Sequence, residues 1–136
     1  MSPRSRIRFW LPALTLAMGV VVTLAPARSA GPRAQLVQAR ADAAAKVFQL
    51  QERDYQQGRG TLDSLYGWSV RWFEAQGGKG AGAGPAGDHL KRVQAIEAQV
   101  KSRYQAGMAS GTEVAAAEYF RSEAELWALD AQGGKP

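Results

Sequence analysis

Apolar and polar positions along this chain follow a helical period wherever glycine and proline are absent. Residues 34–57 contain neither, and Val37, Ala41, Ala44, Phe48 and Tyr55 recur there at three- and four-residue steps, with Gln51 in the missing place. Such a stripe predicts an amphipathic helix that needs a partner. Gly31-Pro32 stands just before it, with proline suited to the first turn. A second helix is expected over about 62–76, with Leu62, Leu65, Ser69, Trp72 and Gln76 on one side, Tyr66 and Phe73 widening that face, and Trp68 beside it, a candidate to face outward. Between the two helices, Gly58 suits a left-handed helix end, Thr61 can cap the next helix, and Asp63 adds negative charge to its first turn.

The stretch Gly77 to Gly87 is so rich in glycine that a flexible linker is expected, because ordering glycine costs the most backbone entropy. As a random coil it would span about 18 Å, enough to fold one hairpin onto another. Asp88 is then the expected cap of a third helix over about 89–106, lined by Leu90, Val93, Ile96, Val100 and Tyr104, with Glu97 and Lys101 as an exposed pair. Gly107 stops it. Ser110-Gly111-Thr112-Glu113 is a capping box that opens a fourth helix, running to about Asp130 with Val114, Ala117, Phe120, Ala124 and Trp127 inward.

The two halves match at an offset of 49 residues: Tyr55-Gln56-Gln57-Gly58 falls on Tyr104-Gln105-Ala106-Gly107, Thr61 on Ser110, Leu65 on Val114, and Glu74-Ala75 on Glu123-Ala124. Each copy places a tyrosine three residues before a stopping glycine and a hydroxyl three residues after it. This reads as an internal duplication. Two copies are fewer than the roughly three that a solenoid needs, so a compact bundle is expected.

The first 27 residues change the picture. Arg4, Arg6 and Arg8 precede an apolar run from Phe9 to Ala25, and Ala25-Pro26-Ala27 offers small residues where a signal peptidase reads. A cleaved secretory signal peptide is the favoured reading; an uncleaved anchor is the alternative, the run being near the lower limit of about 17 residues for a span. Cleavage after Ala27 leaves 14 Lys and Arg against 12 Asp and Glu, so most of the formal +5 charge belongs to the leader. The remaining bases are scattered, and no nucleic-acid partner is implied. Cysteine is absent, which excludes disulfides and thiolate metal sites.

No constellation for catalysis, cofactor or metal emerges. Gly82-Ala83-Gly84-Pro85-Ala86-Gly87 matches the dinucleotide fingerprint by letter, but it follows a helix and lacks the strand context in which that motif grips phosphate. Gly78-Lys79-Gly80 lacks the earlier glycine and the following hydroxyl of a P-loop. His89 is the single histidine, has no second imidazole or thiolate to share a metal, and is expected on the solvated surface. The acidic residues of the third and fourth helices read as solvated faces paired with Lys and Arg. The aromatic residues of helices two and four read mainly as core, which a bundle this small needs, and otherwise as a partner surface.

The pattern Tyr-x-x-Gly-x-x-Ser/Thr followed by an alanine-rich helix ending in Glu-Ala, clearest from Tyr104 to Leu126, resembles the helical hairpins of TolC-like outer-membrane efflux proteins. The resemblance covers about half of the chain that follows the leader. It implies that Gly107, Met108 and Ala109 occupy a hairpin tip that meets a periplasmic adaptor, with Gly58, Arg59 and Gly60 as first-copy equivalents. A helix of 21 residues reaches only about 32 Å, and no segment alternates as a barrel strand would, so the chain is not a channel by itself. It is also similar to small exported bacterial helical proteins of unknown role.

The expectation is therefore an all-α protein: a leader at 1–27, a first hairpin at 28–76, a linker at 77–87 and a second hairpin at 88–136, forming a small bundle or coiled-coil hairpins. The expected role is an exported, non-enzymatic interaction or structural protein of the periplasm or cell envelope, or alternatively an accessory of TolC-like efflux. No cofactor or metal is expected, and the expected partner is another protein or a second copy, with membrane contact only through the leader if it is uncleaved. Candidate partner contacts are Gly107, Met108, Ala109 and Trp68.

Overall fold

The computed structural model describes residues 31–133; the leader read at 1–27 lies outside the described residues. Among the described residues four α-helices run up and down, α1 (Pro32–Gln56), α2 (Leu62–Ala75), α3 (Ala83–Gln105) and α4 (Gly111–Gly133), with a 3-10 turn, Gly78–Ala81, between the second and third. α1 packs along α2 and α3 along α4, giving two hairpins, and α2 joins them by lying against α3 and, more lightly, α4. Among the described residues no helix is long and apolar enough to cross a membrane.

The helix ends form as their chemistry dictates. Pro32 sits in the first turn of α1. Ser64 N donates to Thr61 Oγ1 at 3.2 Å, so Thr61 caps α2. The capping box of α4 closes in both directions: Glu113 N donates to Ser110 Oγ at 3.2 Å and Ser110 N to Glu113 Oε2 at 2.8 Å. Each pair satisfies backbone amides that a helix start leaves free.

The core has three parts stacked along the bundle. Nearest the hairpin turns, Phe48, Tyr55, Leu62, Leu65, Ile96, Val100 and Ala117 form an aliphatic and aromatic cluster from all four helices. In the middle, Tyr66, Val93 and Ala124 meet, with Phe120 stacked on Tyr66 at 3.8 Å between ring centres. At the far end Phe73, Ala86 and Ala128 pack together against Trp127. Fully burying side chains of this size contributes roughly 1.5–3 kcal/mol each, which is the main source of stability in so small a bundle.

Several expectations are corrected. The segment 77–87 is not a free linker. Its first part winds into the 3-10 turn, and α3 begins at Ala83, so that Pro85 sits in the first turn and Ala86 is 1% exposed between Phe73 and Ala128. The Ala86 methyl anchors this glycine-rich start of α3 against Phe73 of α2 and Ala128 of α4. Asp88 consequently lies inside α3 rather than capping it, with Lys91 Nζ 3.8 Å away.

The stripe of α1 is inward only over its second half. At about 37 Å for 25 residues against about 21 Å for the 14 of α2, α1 overhangs its partner, and Val37 is exposed there. Tyr104 is also exposed, although it lies on the core side of α3. It stands one turn beyond Val100, where Arg103 already closes the end by placing its guanidinium 4.8 Å from the centre of the Tyr55 ring.

Glu97 is buried rather than a solvated partner of Lys101. Its carboxylate takes Lys101 Nζ at 2.7 Å and Arg121 Nε at 2.9 Å, while Lys101 reaches Glu118 at 3.1 Å and Arg121 reaches Glu125 at 2.6 Å. This network ties α3 to α4. A carboxylate in such a place is tolerated because both its oxygens are paired.

Candidate functional site

Both hairpin turns lie at one end of the bundle and have the same geometry. Gly58 and Gly107 are left-handed, at φ 71° and 72°. In the first, Gly58 N donates to Tyr55 O at 3.0 Å and Arg59 N to Asp54 O at 2.8 Å; in the second, Gly107 N donates to Tyr104 O at 2.9 Å and Met108 N to Arg103 O at 2.8 Å. These paired bonds are those of a Schellman helix end, which needs a residue free of a Cβ penalty at the glycine. Across each turn the same two positions are also joined by a side chain: Arg59 Nη2 to Asp54 Oδ1 at 2.9 Å, and Arg103 Nη2 to Met108 O at 3.2 Å.

The turns are coupled to each other. Arg103 Nη1 donates to Gln56 O at 3.3 Å, satisfying a carbonyl that the end of α1 leaves free. Glu113 accepts from Tyr55 Oη at 3.4 Å with the carboxylate that also completes the α4 capping box. Burial, with the Glu113 charge adding to it, raises the Tyr55 phenol above its ordinary value. The result is a double tip at which Gly58, Arg59, Gly107 and Met108 are exposed, Met108 at 61%, while Ala109 is half-buried.

Trp68 does not belong to this tip and does not face freely outward. It stands about 9 Å up α2 from the first residue of that helix, half-buried against the turn-end cluster, with the Arg71 guanidinium 4.8 Å from its ring centre. Its outer edge lines a shallow depression of about 360 Å³ together with Arg40, Ala43 and Val47 of α1.

The position of His89 overturns the expectation of a solvated surface residue. Its side chain is 0% exposed, with Phe73 and Trp127 stacked against it at 5.0 and 5.4 Å between ring centres. Ser69 Oγ lies 3.1 Å from Nδ1, and Arg92 Nε donates to that same oxygen at 3.3 Å, with the Arg92 guanidinium 4.0 Å over Trp72. Burial, aided by the nearby Arg92, pushes His89 down to about 4, and burial pushes Arg92 down to about 10. A serine beside a histidine is the pairing of nucleophilic catalysis, but Ser69 is also 0% exposed and presents no face to a substrate. Here the pair clamps α2 to α3 beside an aromatic cluster in which Phe73 and Trp127 also lie 5.6 Å apart.

One signal for His89 was present in the sequence. It stands four residues before Val93, in the 89, 93, 96, 100 row of a helical face. Glu113 and Glu123 likewise act across the bundle: Glu123 accepts a hydrogen bond from Tyr66 Oη, which together with burial raises that phenol. Their spacing on α4 gave no sign of these partners.

No protein-family model matches the chain, and searches of curated proteins and of solved structures find no significant match.

Proposed function

We propose that this chain is an exported, non-enzymatic interaction protein of the cell envelope, built from one helical hairpin duplicated and diverged. The reading is supported above all by the joined turn end. Two glycine turns of equal geometry are held side by side by Arg103, and together they present Arg59 and Met108 to solvent. Rigid, adjacent tips suit recognition by a partner, since little order has to be gained on binding. Export is supported by Arg4, Arg6 and Arg8, the apolar run after them and the Ala25-Pro26-Ala27 site.

Mass spectrometry of the chain from its host is expected to find a first residue at Arg28. An intact Met1 in the membrane fraction overturns cleavage. Cross-linking in the host, with the cross-linker placed at Met108, is expected to trap a specific envelope protein, and capture unchanged by substitutions at Gly107 and Ala109 overturns a role for the tip.

A second reading is favoured by one observation. Met108 is prominent at the position where the resemblance to TolC-like efflux proteins places adaptor contact. On this reading the chain is an accessory whose tip engages an efflux adaptor. Failure to capture any adaptor, together with unchanged drug sensitivity in a deletion strain, discards it.

A further inference from the structure

The outer faces of α1 and α4 carry an arrangement that the bundle itself does not use. On α4, Ala115, Tyr119, Ser122, Leu126 and Leu129 follow steps of four, three, four and three along the side turned away from the core; all are exposed, with Tyr119 at 65% and both leucines at 61%. On α1, Leu36, Ala43 and Leu50 recur at seven-residue steps and are exposed as well, with Ala43 at the rim of the depression that Trp68 lines. Single exposed leucines are ordinary on a protein surface, whereas a row in alternating steps of three and four, as on α4, is the seam of paired helices; α1 repeats one such position per heptad, with Arg40 and Val47 between.

The edges of the two rows have opposite charge. By helical position, Arg33 and Arg40 flank the α1 row on one side and Lys46 and Arg53 on the other, all exposed. The α4 row is flanked by Glu118 and Glu125 on one side and by Glu123 and Asp130 on the other. Glu118 and Glu125 remain 50% and 41% exposed although each holds a cation of its own bundle. The helices also match in length, 25 and 23 residues. Within one chain these rows do not meet: α1 packs along α2, α4 along α3, and each row faces away from its own core.

We infer that the outer row of α1 in one copy of this chain docks on the outer row of α4 in a second copy. The inference rests on the reading of the chain as an interaction protein and names one partner, a second copy of the same chain. Apolar rows form the seam, and the basic and acidic edges set which helix accepts which, as e and g residues do in coiled coils. Because the two faces differ, the contact joins unlike surfaces. Made twice about a two-fold axis it closes a dimer, and made in succession it extends a chain of copies.

The test uses the chain purified after export, its mass measured by light scattering on a sizing column between about 1 and 100 µM, the range that reveals a modest interface. The wild type is expected as two or more copies. Leu126→Glu with Leu129→Glu, and separately Leu36→Glu with Leu50→Glu, are each expected to give single copies with the helical circular dichroism signal retained. Mixed in equal amounts, the two variants are expected to associate, since each keeps the face that the other has lost.

Arg40→Glu with Lys46→Glu changes only exposed side chains and keeps the inference open to refutation should a leucine variant fail to fold. It is expected to weaken association by at least about tenfold. A wild type that stays single across the range overturns the inference, as does an α1 variant that still self-associates, which points to α4 on α4, or a mixture that stays single. A single-copy wild type that binds anionic vesicles through α1 overturns it in favour of a membrane surface. None of these results removes a tip partner trapped at Met108, so failure here is distinct from failure of the proposed function.

Discussion

The two hairpins reverse direction in the same way, yet they treat the tyrosine ahead of the turn in opposite ways. Tyr55 is 1% exposed and Tyr104 is 53% exposed, although their glycines differ by one degree in φ and their turn hydrogen bonds agree within 0.1 Å. The residue just before each tyrosine accounts for the difference. Asp54 turns outward to pair with Arg59, leaving the Tyr55 ring to be covered by Arg103 and Glu113 of the other hairpin. Arg103 in turn reaches over to Tyr55 and the end of α1, so no equivalent cover forms over Tyr104. Local turn chemistry thus fixes the path of the backbone, while the fate of the side chain is fixed by which element packs over it from across the bundle.

The largest effect expected is the one that separates these tyrosines. Tyr55→Ala removes a ring packed in the turn-end cluster and should cost about 3–5 kcal/mol by denaturant unfolding. Tyr104→Ala should stay within about 0.5 kcal/mol. Equal costs would mean that the asymmetry between the hairpins is not real.

The next effect sharpens the contrast between the turn end, whose core holds no histidine, and the opposite end, where His89 is buried against Phe73 and Trp127. His89 is neutral in the folded chain, held at about 4 against 6.5 when unperturbed. The unfolded chain therefore binds the extra proton as pH falls from about 6.5 toward 4, and stability present above 6.5 is lost across that window, by up to about 3 kcal/mol. Arg92 from α3 stands beside the ring and Lys79 lies over the Trp127 face, so neither neighbour offers a negative charge to the imidazolium. As His89 is the single histidine, His89→Phe should remove this slope. A wild-type curve flat from pH 7 to 4.5 contradicts the burial.

How much of this was legible follows from range. Turn glycines, the Thr61 cap and the Ser110-Glu113 box depend on residues a few positions apart, and each forms as its spacing implies. The burial of His89 and the order in 77–87 depend on Phe73, Trp127 and Ala128, brought there by other helices. Composition could not show that Ala86 fills a space that its glycine-rich surroundings then had to follow. The inward stripes of α1 and α3 were right in phase and wrong in extent, because periodicity gives the face of a helix but not where its partner ends. Glu113 is the mixed case: its capping role was local and readable, and its bond to Tyr55 was not.

At the turns themselves the hairpins should respond alike. Gly58→Val and Gly107→Val both force a β-branched residue into a left-handed conformation, although a Cβ at either site meets nothing within 4 Å. The cost is then conformational, at least about 1–2 kcal/mol in each hairpin. A loss at one turn only would show that the shared geometry hides unequal strain, and melting temperatures of the two variants decide it.

The smallest effect again divides the hairpins, through their caps. Thr61 accepts one backbone hydrogen bond, from Ser64 N at 3.2 Å. Ser110 accepts from Glu113 N and has its own amide held by the Glu113 carboxylate, which also takes the Tyr55 hydroxyl. Ser110→Ala should therefore cost about 1 kcal/mol and Thr61→Ala about 0.5 kcal/mol, within the range for lost caps. Coupling should appear as well: with Tyr55→Phe already present, Glu113→Gln should cost less than it does in the wild type, because the link between capping box and buried phenol has gone. A double-mutant cycle giving strictly additive losses would confine the capping box to its own hairpin, and the turns would then be neighbours rather than a joined tip.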